Sequence, residues 1–318
     1  MHSTFVESVC LPFLLSAQNA DGGWGFKPGA ASRAESTAWA LIAMRETELP
    51  PAHGEAASRA VKFLAEAQLA DGAWPASPEL REGSWVTSVA GLALFRETNL
   101  TEKINKAAAW LAREVPGEAG LLHRAVRSVF GKKNTGQNFS YFGWSWTAGT
   151  ASWVEPTSYA ILLLRLLPVE KRPAEAERRL RLAETMLCDR MCPGGGWNCG
   201  NPMVYGVPGE PQVTSTVWAL LALKEDHERP EVQQSLAWLE GFSGSIQSPA
   251  SLALSAIALR AYGKAESAAT LAAGLGALYE SSEIAWNVTE VAWSILALSG
   301  TLNWLQPKST IANSGGGS

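Results

Sequence analysis

Cysteine, histidine and aspartate are scarce in this chain, and each scarcity closes off a class of chemistry. The 318 residues hold four cysteines, four histidines (His2, His53, His123, His227) and four aspartates (Asp21, Asp71, Asp189, Asp226). So few cysteines cannot build a disulfide scaffold. The start, Met1-His2-Ser3-Thr4, lacks a basic region and 11–16 is too weakly apolar for a secretory signal, so a cytoplasmic protein with reduced thiols is expected. The histidines form no His-Glu-x-x-His pair, and no Gly-x-Ser-x-Gly elbow, Walker loop or dinucleotide fingerprint occurs. Nucleotide-dependent and serine-hydrolase mechanisms therefore find no support. With 26 Lys plus Arg against 30 Asp plus Glu, the net charge of −4 leaves no electrostatic footprint for nucleic acid. Apolar runs are short: the richest, Tyr159 to Leu164, ends at Arg165, far from the length a bilayer demands. Peripheral contact with a membrane stays open.

Hydrophobic residues, at 47%, are plentiful enough for a large core, and at this length about three quarters of the unfolded surface is expected to be buried. Tryptophan (14) and glycine (29) are abundant for a chain that reads as helical, and they fall into a repeat. Gln18-Asn19-Ala20-Asp21-Gly22-Gly23-Trp24 recurs as Gln68-Leu69-Ala70-Asp71-Gly72-Ala73-Trp74, and in weaker form as Pro193-Gly194-Gly195-Gly196-Trp197. The unit reads as a structural turn. Gly22, Gly72 and Gly195 allow the backbone to reverse, Asp21 and Asp71 bond nearby amides, Gln18 and Gln68 satisfy a helix end, and the tryptophans stack over the turn.

Six segments with Ala/Leu-rich endings (39–44, 89–94, 159–164, 218–223, 254–259, 293–298) are apolar all round, most follow Ser/Thr-rich starts, and they should be buried helices. Six others (4–17, 55–68, 102–114, 174–191, 230–242, 263–279) carry charge on one face and should lie outside. Alternation of the two kinds predicts an all-α fold, an (α/α)6 barrel of six inner and six outer helices, as one domain over 1–308. An insert at 121–150 interrupts the repeat, and 309–318, ending in SGGGS, reads as a flexible tail.

Residues 18–24 and 68–74 resemble the QW repeat of squalene-hopene and oxidosqualene cyclases, and the resemblance runs over residues 2–305. It implies the terpenoid cyclase/protein prenyltransferase toroid. The chain departs from that family's chemistry in three respects. It has no Asp-x-Asp-Asp acid motif, no DDxxD magnesium motif, and no Asp-x-Cys zinc pair, since Asp189 is followed by Arg190 and Met191. Neither magnesium nor zinc is supported by a motif, so no cofactor is expected.

Inner-helix starts should converge on one mouth of the barrel. Glu35, Glu155 and Glu290 lie there, and burial of Glu155 between Trp153 and Pro156 would raise its pKa toward general-acid use. An acid near a helix N-terminus is also simply favoured by the helix dipole. Glu155 and Glu35 are the candidate catalytic residues. In the insert, His123, Arg124, Arg127, Lys132 and Lys133 stand beside Phe139, Tyr141, Phe142, Trp144 and Trp146. Basic groups grip phosphates and aromatic faces stabilise cations, so His123, Arg124, Tyr141, Trp144, Trp146 and Trp153 are candidate substrate contacts, with Tyr205 on a 198–212 loop that could serve as a lid. A solvated basic loop with a structural Trp cluster is the plainer alternative. Cys188, Cys192 and Cys199 cluster in sequence, with His227 the nearest histidine, and packed reduced thiols are the commoner outcome than a metal site.

Three functions follow as expectations. The first is a terpenoid cyclase or prenyltransferase-like enzyme acting on an isoprenoid in the apolar lumen. The second is a toroid that binds an isoprenoid or lipid without turnover, or a subunit of a larger complex. The third is a carbohydrate-active α/α-barrel enzyme using Glu35 and Glu155.

Overall fold

A computed structural model describes residues 2–47, 51–120, 137–281 and 287–307. His2–Phe5, a π-helical stretch Val6–Cys10 and Leu11–Ala17 follow one another without a break and form α1. Then come α2 (Ala34–Arg45), α3 (Pro51–Ala67), α4 (Val86–Leu94), α5 (Thr101–Arg113), α6 (Val154–Leu166) and α7 (Ala176–Asp189). The circuit is completed by α8 (Val213–Ala222), α9 (Pro230–Phe242), α10 (Pro249–Ala261), α11 (Ala265–Ser281) and α12 (Val288–Ser299). The only strands among the described residues are the two-residue pair Met203–Val204 and Val207–Pro208.

Even-numbered helices form the inner ring: α2 touches α4, α4 touches α6, α6 touches α8, α8 touches α10, α10 touches α12, and α12 returns to α2. Their sequences explain the position. Every residue of α4 is buried, and so are residues 36–44 of α2 and 156–164 of α6, so each helix must be covered on its outer side as well as by its ring neighbours. Odd-numbered helices supply that cover, α3 on α2, α5 on α4, α7 on α6, α9 on α8 and α11 on α10, while α1 lies on α12 and closes the circuit. Because an outer helix returns the chain after each inner one, all six inner helices run the same way. Their N-termini share one mouth, reached through the long connections 18–33, 68–85 and 190–212 and, ahead of α6, by the described residues 137–153; the other end carries short connections. No helix among the described residues is long and apolar enough to cross a membrane.

The repeats tie neighbouring outer helices together. Gln18 Nε2, at the end of α1, donates to Gly22 O and to Ala56 O of α3, both at 2.9 Å. Gln68 Nε2, at the end of α3, does the same to Gly72 O (2.8 Å) and to Lys103 O of α5 (2.9 Å). Asp21 Oδ1 accepts from Gly23 N and Ser32 Oγ, and Asp71 Oδ1 from Ala73 N. Gly72 has φ +99° and a Cβ there would stand 2.6 Å from Lys106 O, so only glycine fits between turn and helix.

Candidate functional site

Each turn also sets the rotation of the inner helix that follows it. The backbone N–H of Trp24 donates to Thr37 Oγ1, that of Trp74 to Thr87, and that of Trp197 to Thr216, at 2.8–2.9 Å. The indole N–H of each caps a carbonyl of the preceding outer helix: Leu14, Leu64 and Leu187. A fourth turn has the same geometry. Trp144 N donates to Thr157 Oγ1 (2.9 Å) and its Nε1 to Leu111 O (2.9 Å). Trp144, expected to touch substrate, is instead sealed at 2% exposure as the fourth structural tryptophan. This turn lacks the glutamine, and buried Arg179 of α7 replaces it, donating to Gly143 O (2.8 Å) and Glu114 O while lying 4.5 Å over the Trp144 ring.

A helix turns 100° per residue, so side chains two before and two after such a threonine point away from it, toward the barrel axis. Two before stand Glu35, Trp85, Glu155 and Thr214; two after stand Trp39, Val89, Tyr159 and Trp218, about 6 Å deeper. The lower positions meet. Trp39 and Trp218, from α2 and α8 on opposite sides of the ring, have ring centroids 5.2 Å apart, and Tyr159 lies 4.8 Å from Trp218. Trp293 of α12 approaches both tryptophans edge-on, at 5.8 and 6.0 Å. An aromatic layer thus crosses the lumen, one turn below the acids. The indole N–H groups of Trp39, Trp218 and Trp293 are buried and find no acceptor among the described residues, consistent with edges directed at aromatic faces.

Burial pushes the Glu35 carboxyl up to about 7 despite the opposing charge of Arg33, and its carboxylate accepts no hydrogen bond among the described residues. Glu155 is also raised by burial, but Ser215 of α8 donates to its Oε1 at 2.9 Å and favours the charged form. Tyr159 is held well above the usual phenol range by burial and by the nearby charges of Glu155 and Glu35, which places both carboxylates around one ring. Two carboxyls with separate environments face one aromatic surface, the arrangement that divides acid from base. Glu290 lies at the corresponding end of α12, its backbone N–H donating to Asn287 Oδ1 at 2.8 Å.

The other expected contacts scatter. Trp146 meets Trp85 edge-on at 4.9 Å, and Trp85 stacks on Tyr159 at 5.6 Å, so Trp146 joins the mouth end of the aromatic column. Trp153 is half-buried at the start of α6, its N–H bonded to Trp144 O. Tyr141 is half-buried against the core. Tyr205, with φ +51°, stands at the tip of the small hairpin and is 94% exposed. His123 and Arg124, with Arg127, Lys132 and Lys133, lie outside the described residues. The three clustered cysteines have different partners: Cys188 accepts from Arg229, Cys199 from Asn201 Nδ2, and Cys192 is buried near Cys199. Among the described residues no three His, Cys, Asp or Glu side chains converge into a metal-binding group.

Residue-by-residue reading overlooked Ser215 and the aromatic layer. The signal was present as a spacing: each of Trp24, Trp74 and Trp144 precedes its threonine by 13 residues, which fixes the lumen-facing register.

No family model matches the chain. A 67-residue stretch, 21% of the chain, is 43% identical to drimenyl diphosphate synthase of Streptantibioticus cattleyicolor and spans only 12% of that protein. Among solved structures, a variant of the type II terpene cyclase MstE from Scytonema, bound to geranylgeranyl dihydroxybenzoate as substrate, superposes with a TM-score of 0.61. The two are 15% identical over 94% of this chain and 97% of that one. ent-Copalyl diphosphate synthase from Streptomyces platensis gives a TM-score of 0.55 at 19% identity, covering 84% of this chain and 50% of that one. The chain has the α/α toroid fold of the type II terpene cyclases.

Proposed function

We propose that this protein is an isoprenoid-transforming enzyme of the terpene cyclase kind, in which Glu35 starts the reaction by protonating an alkene. The observation that carries the proposal is Glu35 itself: a carboxyl raised to about 7, with no hydrogen bond to hold it ionised, one helical turn above an aromatic layer. The proton on the carboxyl oxygen passes to the terminal alkene carbon, whose π electrons form the new C–H bond. Glu35 is left as carboxylate and the adjacent carbon as a tertiary cation, which the next double bond attacks in turn. Tyr159, the ring that both carboxyls flank, offers a π face to the migrating charge, and Glu155, whose Oε1 accepts from Ser215, takes the final proton. The likeness to terpene cyclases supports the isoprenoid class, and the few acceptors in the aromatic layer favour it over a sugar. Exposed Phe26, Leu80, Val204, Tyr205 and Val207 stand on the long connections of the same mouth, an apolar rim that supports entry of substrate from an apolar phase.

The test is mass spectrometry of organic extracts after incubation with squalene and with prenyl diphosphates of ten to twenty carbons, with and without magnesium. Wild type is expected to give a cyclised product that falls by about a hundredfold or more in Glu35→Gln. A product that survives the substitution undiminished would remove Glu35 from the mechanism. Substrates recovered unchanged from wild type, beside a co-purified lipid, would favour a toroid that binds without turnover.

A further inference from the structure

A chain whose reacting end lies at Glu35 cannot continue down the barrel axis. On the four clamped helices the residues two after the threonine, Trp39, Val89, Tyr159 and Trp218, are 4% exposed or less. Glu35, Trp85, Glu155 and Thr214, one turn above them, are all partly open. The layer closes the barrel directly beneath the acids, so the rest of such a molecule has to lie across the mouth.

Beside Glu35 the mouth offers room for it. A half-open cavity of about 550 Å³ lies between the first two tryptophan turns, within the span of about 300–1,000 Å³ usual for small-ligand sites. Most of its wall is apolar: Phe63 and Ala67 at the end of α3, Pro75, Pro78 and Leu80 of the connection 68–85, and Ala34 at the start of α2. Ala34 immediately precedes Glu35. Arg33, one residue earlier, donates to Ala76 O at 3.5 Å, between the lining residues Pro75 and Ser77, and its charge also acts on the Glu35 carboxyl. Cavity and acid therefore share a neighbour.

The polar groups of the wall are already engaged. Gln68 Nε2 is spent on Gly72 O and Lys103 O, Ser77 Oγ donates to Glu79 Oε2, and Asp21 Oδ1 accepts from Gly23 N and Ser32 Oγ. The charged lining groups are Asp21, Glu66 and Arg81, two acids against one base. That balance disfavours a phosphate and suits an uncharged hydrocarbon. Leu80 remains 50% exposed in this wall, and a hydrocarbon laid over it removes that surface from water.

We propose that this cavity is the subsite for the unreacted, uncharged part of the isoprenoid chain, held outside the barrel while the reacting end meets Glu35. The proposal rests on the isoprenoid reading above and goes beyond it by locating the tail between the first two turns and by keeping phosphate away from it.

The experiment is calorimetry on the full chain with saturated isoprenoid alcohols of ten and twenty carbons, which carry no alkene and cannot react. Leu80→Asp puts a carboxylate into the cavity wall, Leu80→Met keeps the wall apolar, and Val169→Asp makes the equivalent change at an exposed valine on the far end of the ring. Circular dichroism confirms that each variant folds; should Leu80→Asp fail to, Pro78→Asp, at an exposed position of the same wall, replaces it. Leu80→Asp is expected to weaken the twenty-carbon alcohol by about tenfold or more and the ten-carbon alcohol by less than about threefold, because only the longer chain reaches from Glu35 into the cavity. Leu80→Met should retain the preference for the longer chain, and Val169→Asp should match wild type. Unchanged affinity for the longer alcohol in a folded Leu80→Asp, or equal losses at both lengths, overturns the subsite and leaves the isoprenoid reading standing. Failure of wild type to bind either alcohol counts against the isoprenoid reading itself and overturns this inference with it.

Discussion

The ring is held in register by two different devices. Entry into α2, α4, α6 and α8 passes through a tryptophan turn, and none of these helices has a side-chain N-cap. At the entries to α10 and α12 the helix is capped instead, Ser248 accepting from Ser251 N and Asn287 from Glu290 N. Both devices satisfy loose amides. A cap does only that, leaving rotation about the helix axis to packing, whereas the threonine clamp bonds a side chain of the helix to the backbone of the turn and fixes rotation as well. The two lumen carboxyls displaced from their ordinary pKa, Glu35 and Glu155, both stand on clamped helices.

The heaviest blow to the clamped half is Trp74→Ala. It deletes a fully buried indole and its Nε1 bond to Leu64 O at 2.8 Å. Truncation of a buried aromatic costs about 3–5 kcal/mol, and the lost bond places this site toward the upper part of that range. Denaturant unfolding monitored by circular dichroism reads the difference; a loss below about 1 kcal/mol would show that the turns decorate the ring without holding it.

Much of this architecture was legible in the chain because it repeats. Alternating apolar and amphipathic helices and glycines at reversals announce the twelve-helix ring, and the helix ends fall within a few residues of their expected places. The Ser/Thr-rich starts, which read as N-caps, instead supply the threonines that accept from the tryptophan turns. The fourth turn was not legible, since Phe142-Gly143-Trp144 has neither the glutamine nor the aspartate and its polar partner, Arg179, comes from a helix 36 residues on. Trp144 therefore looked like a free aromatic beside a basic insert. Glu35 and Glu155 could be picked as helix-start acids, but their difference could not, because Ser215 is 60 residues from Glu155 in sequence. Nor could the packing of Trp304 be foreseen, since its partners Trp39 and Trp218 meet it only once the ring has closed.

A second experiment asks whether the clamp truly confines Glu35. Its folded-state pKa of about 7 stands above the ordinary 4.5, raised by burial. Between those values the unfolded chain has released this proton and the folded chain keeps it, so folding is progressively disfavoured as pH rises. The contribution is fully favourable below 4.5 and lost by the time pH passes 7. Glu35→Gln removes the ionisable group and should stabilise the protein at pH 8 by up to about 3 kcal/mol. The gain should fade toward zero near pH 4. Parallel stability curves across that range would mean that Glu35 turns out to water and that the clamp does not hold it in the lumen.

The finest comparison sets one clamp against one cap. Thr87 Oγ1 is buried and accepts from Trp74 N at 2.9 Å, so Thr87→Val keeps the shape but leaves that amide buried and unbonded, a loss of about 2 kcal/mol. Asn287 Oδ1 accepts from Glu290 N at 2.8 Å, and replacing such a cap by alanine costs about 1 kcal/mol. Asn287→Asp preserves the acceptor and should restore most of the loss, as no equally simple exchange does for Thr87 beyond serine. If the two devices differ in kind, Thr87→Val should also disturb the near-ultraviolet signal of Trp85, which begins the clamped helix and stacks on Tyr159, while Asn287→Ala lowers stability and leaves the spectrum alone. Equal losses with equal spectral changes would mean that rotation of every inner helix is set by the packed ring, with the turns and the caps serving only to satisfy amides.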